Sequence, residues 1–433
     1  MKRLNIAILL LFPILTQAQD TLRLNDAVSL ALLNNYSIII AKNSAQVAAN
    51  SNTIGNAGFL PTADLTAGYQ GNVTNSEQKY FDGRERSGTN AKSTSLTAGV
   101  GIGWTLFDGL AMFTNKEQLA ELEKLGEVQA QMMVENTVAD VILNYYAIVQ
   151  FERMTDVFRQ AIELSVERKR LAEVRLRLGS GSDLDLMQAI IDMHADSSSL
   201  IQQENLIASL QIQLNKLMVR DVATPFRVAR NIPYTDTLRY ETTLNTALSQ
   251  NPGLIEARIN SRISQLDIRQ ARSPLWPTLG VYAGYNYARS NSETGIISNN
   301  LSYGLNYGVT ASMNLFNGTK NLTNIKNAKI WYESAGLAEK MTELNLRGDV
   351  LQLYNDYRTA LMLVKFEQDN LLLARENTRI AFEKYNLGAM NDIDLRTIQQ
   401  KQLDAERRLL TAQYQAKSKE VELRVLSGTI LEK

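Results

Sequence analysis

Four stretches of the chain alternate apolar and polar residues with a period of two. In 62–73, Ala63, Leu65, Ala67, Tyr69 and Val73 share one side, opposite Thr62, Asp64, Thr66, Gln70 and Asn72. In 95–106, Leu96, Val100, Ile102, Trp104 and Leu106 oppose Ser95, Thr97, Gly99, Gly101 and Gly103. The same pattern returns over 278–287 and over 301–315. Each predicts a β-strand with two different faces. A soluble sandwich shares that alternation. Here the polar faces hold Gly, Ser, Thr and Asn in place of Lys and Glu, and Asp64 is the only charge in the four stretches. At about ten to twelve residues the strands also have the length that crosses a bilayer with tilt. The stretches 74–94 and 289–300 read as polar loops, so the strands form two transmembrane hairpins, 62–107 and 278–316. Four strands cannot close a barrel, and open edges in lipid leave backbone amides unsatisfied. Several copies must therefore share one barrel: two copies supply eight strands, three supply twelve.

Elsewhere the period is helical. Ala111 to Leu178 contains no proline and only Gly126, with an apolar stripe of Val134, Val138, Val141, Ile142, Tyr145, Ile148 and Val149. A helix of that length runs roughly 100 Å. Thr319 to Leu387 is its counterpart, and each is followed by a Gly-containing turn and a closing helix, 183–219 and 392–428. Ile207, Leu210, Leu214 and Leu217 give the first closing helix coiled-coil spacing. Shorter opening helices span Leu24 to about Gly58 and Leu238 to about Ser273.

These elements occur twice. Phe59-Leu60-Pro61-Thr62 returns as Leu275-Trp276-Pro277-Thr278, and Asn35 as Asn251, at an offset of 216. Leu106-Phe107-Asp108-Gly109 returns as Leu315-Phe316-Asn317-Gly318, and Leu178-Gly179 as Leu387-Gly388, at an offset of 209. The chain thus divides into a first unit, 19–220, a joining segment, 221–237, and a second unit, 238–433. The fold class is an α+β membrane protein with an internal tandem repeat.

Composition narrows the function. With no Cys and one His, disulfide frameworks, thiolate sites and His-based zinc or acid–base chemistry have no residues to work with. The 45 basic and 45 acidic side chains balance, which leaves no electrostatic footprint for nucleic acid. Gly99, Gly101 and Gly103 alternate on one strand face, and Gly179-Ser180-Gly181-Ser182 lacks a following Lys, so neither is a phosphate loop. His194 sits between Asp192 and Asp196 on a helix face that reads as solvated. No enzyme, cofactor or metal site emerges. Met1-Lys2-Arg3, the apolar run to Leu15 and Thr16-Gln17-Ala18 form a signal peptide over 1–18, so the protein is exported.

The doubled unit, the two strand exits and the two turns together resemble the TolC family of outer-membrane efflux proteins over the whole mature chain. That resemblance implies a homotrimer in the outer membrane, with a 12-stranded barrel continuing into a periplasmic coiled-coil barrel. It also implies docking to a periplasmic adaptor and an inner-membrane pump of the RND or ABC class. By the same resemblance Leu178, Gly179, Leu387 and Gly388 are adaptor-docking tips. Asp394 matches an acid facing the tunnel at its closed end, where three copies form a ring. Asp185 and Tyr385 match partners in a latch between helix hairpins. Thr397 and Met390 replace two further residues of the family's gate, which implies a single ring and a latch that is weaker or built from other residues. The function so implied is an export duct of a tripartite efflux or type I secretion system. A passive porin-like uptake channel and a periplasmic coiled-coil scaffold are the competing readings.

Overall fold

The computed structural model describes residues 21–294 and 296–431. The signal-peptide reading therefore lies outside the described residues. In chain order the elements are β1 (Thr21–Leu22), α1 (Leu24–Asn34), α2 (Tyr36–Ser51), α3 (Ile54–Ala57), β2 (Thr62–Lys79), β3 (Glu85–Asp108), α4 (Ala111–Arg177), α5 (Asp183–Met218) and β4 (Arg227–Val228). There follow α6 (Tyr240–Gln250), α7 (Pro252–Arg272), a 3-10 turn, β5 (Thr278–Ser292), β6 (Asn299–Ser312), α8 (Lys320–Asn386) and α9 (Asp392–Leu426). Two compact units result. One holds Lys42–Gln129 and Ile255–Thr342; the other holds the chain up to Ala41, Ala130–Leu254 and Glu343 onward.

The unit of Lys42–Gln129 and Ile255–Thr342 carries a four-stranded sheet in the order β2-β3-β5-β6, with every neighbouring pair antiparallel. Its outer strands β2 and β6 each have one partner. Leu65, Tyr69 and Val73 on β2, and Tyr303, Leu305, Tyr307 and Val309 on β6, are exposed. The first hairpin corrects the reading of 74–94 as a loop: pairing resumes past a bulge between Thr74 and Ser76 and runs to Lys79 opposite Glu85. Asn90 takes a left-handed backbone (φ 52) at the bulge and donates its N–H to Asn75 Oδ1 at 2.6 Å. Above Val73 both faces are polar, so pairing there rests on backbone bonds and leaves no hydrophobic alternation to read. The longer strands also take in Glu77, Lys79, Glu85, Arg86, Lys92 and Arg289, so Asp64 is not their only charge. The fourth strand is shifted from its reading over 301–315, beginning at Asn299 and ending at Ser312.

Both strand exits turn by two successive left-handed residues, Gly109 (φ 73) with Leu110 (φ 71), and Gly318 (φ 66) with Thr319 (φ 66). At Gly109 a Cβ would stand 2.2 Å from the Ser273 carbonyl oxygen, so only glycine fits.

In the helical unit, Val141, Tyr145, Ile148 and Val149 from the α4 stripe pack with Leu214, Met218, Phe226 and Ile232. Fully burying one such aliphatic side chain contributes about 1.5–3 kcal/mol. The parallel pair β1–β4 closes this core, and Tyr145 Oη donates to Leu22 O (2.9 Å) while accepting from the Ala229 N–H (3.0 Å). Each opening helix was read as continuous, and both are broken, at Asn35 and Asn251. Each asparagine has extended backbone, and its amide donates to a distant carbonyl, Leu217 O at 2.9 Å or Leu426 O at 3.0 Å. Its Oδ1 then accepts from the next helix, from Ser37 N–H or Leu254 N–H at 2.9 Å. The side chain thus replaces the helix's own bonding at that point. Buried Glu420 ties down the joining segment by accepting from Thr235 N–H (3.1 Å) and pairing with Lys417 (3.2 Å) and Arg424 (3.3 Å).

Candidate functional site

The two helix turns share one backbone solution. Gly179 (φ 75) and Gly388 (φ 76) end α4 and α8 in the left-handed region, where glycine carries no Cβ penalty. Ser180 N–H reaches back to Arg175 O at 2.9 Å, and Ala389 N–H to Lys384 O at 2.9 Å. Ser182 then caps α5 in a reciprocal box with Asp185, and Asn391 Oδ1 caps α9 by accepting from Asp394 N–H at 2.7 Å. Immediately before each glycine stands an exposed leucine, Leu178 (76% exposed) and Leu387 (84%). Leu184 and Ile393, just inside the following helices, are exposed as well.

Behind the turns lies a buried ion-pair cluster that sequence reasoning missed. Arg168 of α4 is fully buried. Its Nε and Nη2 donate to Asp392 at 3.1 and 2.5 Å, its Nη2 to Asp192 at 3.1 Å, and its Nη1 to Gln399 Oε1 at 3.2 Å. Arg396 of α9 forks onto Asp196 with two bonds of 2.8 Å, and Ser165 Oγ donates to the same carboxylate at 2.8 Å. Three helices, α4, α5 and α9, are thereby joined. The fourth, α8, is held through Tyr385, which is 1% exposed. Arg175 lies 4.2 Å over its ring and donates to its carbonyl.

The cluster sets two guanidinium groups against three carboxylates, a net charge of about −1. Burial opposes the charge on Arg396, but the hydrogen bond and charge of Asp196, with Asp192 and Asp392 behind it, outweigh burial and push its pKa up. Burial, then the charge of Asp392, push the Tyr385 hydroxyl up as well, against the pull of Arg175. Such a cluster stays closed while every partner is present, and an unpaired member is strongly destabilising.

Asp394 and Asp185 are both exposed at the starts of α9 and α5. Tyr385 is buried against Arg175, and no hydrogen bond joins it to Asp185 within the chain among the described residues. The reading of Asp192 and Asp196 as a solvated face is corrected: both are buried, while His194 and Ala195 between them are exposed. One signal for the cluster was present in the repeat. At the offset of 209, Arg168 stands opposite Asn377, Asp192 opposite Lys401, Asp196 opposite Ala405, and Arg396 opposite Met187. These four charges are written once where the surrounding frame is written twice, whereas Asp392 has its counterpart in Asp183.

The sequence model described as Outer membrane efflux protein matches the chain over residues 27–219 and again over 243–429. Outer membrane efflux protein BepC of Brucella suis biovar 1 is 19% identical over 307 residues, which is 70% of this chain and 65% of BepC. The chain thus spans slightly less than two thirds of that relative's length. Outer membrane protein TolC of Vibrio cholerae serotype O1 is 20% identical over 396 residues, 88% of this chain and 84% of TolC. The Campylobacter jejuni CmeC outer membrane channel shares the fold with a TM-score of 0.78 at 17% identity, over 94% of this chain and 86% of CmeC. With the family pattern laid twice along most of its length, the chain belongs to the outer membrane efflux protein family, and its place is the outer membrane, with a periplasmic extension.

Proposed function

We propose that three copies of this chain close one twelve-stranded barrel and form the exit duct of a tripartite efflux or type I secretion machine. The carrying observation is the sheet itself. Its outer strands β2 and β6 have one partner each, and their exposed apolar side chains suit lipid. Pairing β2 of one copy with β6 of the next satisfies both edges. The exposed leucines and left-handed glycines at Leu178, Gly179, Leu387 and Gly388 then form tips that meet a periplasmic adaptor. An inner-membrane pump of the RND or ABC class supplies the energy, and transport through this protein is passive.

In this reading Asp394 lines the constriction, with Asp185 and Tyr385 near it at the turns. The Arg168 cluster takes over as the latch that Met390 cannot complete: it ties α4 and α5 to α9, so an outward swing of one hairpin must part it. Mild crosslinking in cells followed by purification from outer membranes tests the proposal. The expected product is a trimer carrying an adaptor and its pump. A trimer that always purifies alone while conducting ions freely would favour passive uptake.

A further inference from the structure

The strand register allows the apolar side of the sheet to be followed row by row. From the row of Ala63 to the row of Ala67, every position across the four strands is apolar or aromatic. The next row holds Tyr69, Leu96, Arg289 and Leu301, so one cation breaks the pattern there. All four side chains are exposed. The Arg289 guanidinium has no hydrogen-bond or ion-pair partner among the described residues.

Depth gives this cation a meaning. Leu279 opens the apolar side of β5, and Arg289 lies ten residues further along the same strand. At about 3.4 Å per residue and a tilt of about 40°, that stretch climbs about 26 Å, close to the roughly 25 Å apolar band of outer-membrane barrels. Arg289 therefore stands at the outer edge of the hydrocarbon, at the end of the sheet away from its helix connections. A cation is costly at mid-depth but tolerated at this edge, where its head meets lipid headgroups.

Directly above Arg289 comes a polar row with Thr94 opposite Asn291, and two residues beyond Thr94 stands Lys92. Lys92, Thr94 and Asn291 line a niche of about 490 Å³ with Ser292, Glu293 and Ser298. Two residues rise about 7 Å, which brings Arg289 from below and Lys92 from above within side-chain reach of the polar row. Lys92 Nζ has no partner among the described residues either. The carboxylate in the lining, Glu293, accepts the Lys92 backbone N–H through Oε2 at 2.7 Å. Even without Arg86, whose Nη2 bonds the Glu293 carbonyl at 2.8 Å, two cations against one carboxylate leave about +1.

Guanidinium, ammonium, hydroxyl and amide donors arriving from different directions suit a tetrahedral phosphate better than a planar carboxylate. Apolar side chains directly beneath suit an acyl chain. We propose that the niche between Lys92 and Arg289 binds the phosphate of an acylated lipid in the outer leaflet, with its chains against Leu96 and Leu301. The proposal rests on the barrel reading, in which the apolar side of the sheet faces lipid, and adds a specific lipid contact to it. Each copy carries a whole niche, since β3 and β5 of one chain build it.

Native mass spectrometry of the full-length, detergent-solubilised protein with added diphosphoryl lipid A is the test. Lipid adducts are expected, and the same lipid stripped of its phosphates should bind about thirtyfold more weakly, the worth of two basic groups against an anionic lipid. Lys92→Gln with Arg289→Gln should weaken lipid A binding by the same factor, and each substitution alone by about fivefold. Lys79→Gln with Arg84→Gln removes two equal charges from the same hairpin, where each is paired with an acid, and should leave binding unchanged. Equal weakening by that second pair would reduce the contact to general attraction and overturn the niche. So would unchanged binding after loss of Lys92 and Arg289, or equal binding of the lipid without phosphates. Excess inorganic phosphate should not strip the lipid; stripping, with phosphate bound in its place, would make this a site for a soluble anion and overturn the lipid assignment. The copy number in the same spectra reports on the shared barrel, so adducts missing from an intact trimer overturn the niche alone. If the double variant fails to assemble, the two single variants carry the same comparison.

Discussion

Arg168 and Asp392, 224 positions apart in the chain, meet through two hydrogen bonds of 3.1 and 2.5 Å with both side chains out of reach of water. Moving α4 away from α9 parts this pair and breaks both bonds to Asp392.

Arg168→Met is therefore expected to leave buried Asp392 without its guanidinium and to cost about 3–5 kcal/mol of stability. Adding Asp392→Leu should recover part of that loss, since residues in one network do not act additively. Thermal unfolding of the solubilised protein reads both stability changes. In single-channel recording the resting conductance should rise in Arg168→Met. An unchanged resting conductance would remove the cluster as the latch.

Asp394→Ala isolates the constriction. The α9 cap uses the Asp394 backbone N–H and the Asn391 side chain, so the substitution deletes an exposed carboxylate and spares the cap. The stability change is limited to the helix-terminus charge term, about 0.3–1 kcal/mol. Reversal potentials across a salt gradient should show weaker cation preference. Identical selectivity would take Asp394 out of the pore.

The paired substitution Leu178→Ser and Leu387→Ser separates docking from folding. Both side chains are largely exposed, so stability should change by no more than about 0.5 kcal/mol for each. Adaptor crosslinking in cells should fall sharply while the protein still reaches the outer membrane. Crosslinking at the original yield would place docking elsewhere.

Glu135 carries a pH dependence. It is 2% exposed, and burial pushes its carboxyl up, partly offset by Gln131 Nε2 donating to it at 2.7 Å. A folded pKa above the unfolded one means the fold prefers the protonated form. Its contribution to stability is present below the ordinary carboxylate range and is lost as pH rises through the raised value. Glu135→Gln keeps an acceptor and never ionises, so it should melt higher than the parent at pH about 7.5, with the gap closing toward pH about 4. A gap that does not change with pH would assign the effect to packing.

How far each feature could be read from sequence follows from what holds it in place. Strand alternation was legible up to Val73 because one side there is apolar, and illegible beyond it because both sides of Ser76 to Lys79 are polar. The turns at Gly179 and Gly388 were legible because a left-handed residue at a helix end calls for glycine. The breaks at Asn35 and Asn251 were not, because each depends on an amide reaching a carbonyl in a helix far along the chain. The cluster was hidden for a related reason: Asp192 and Asp196, four residues apart, look like any solvated helix face until Arg168 and Arg396 are brought over them. Their lack of counterparts in the second repeat was the one clue.

The two singly paired strands have a genetic consequence. In the three-copy barrel proposed above, every chain closes its neighbour's sheet, so a copy with a damaged β2 or β6 spoils the strands of two sound ones. A cell making sound and defective chains in equal amounts would assemble only about one barrel in eight from sound chains alone. Edge-strand defects should therefore be dominant, whereas a lesion confined to the tip of one chain leaves the wall of the barrel whole.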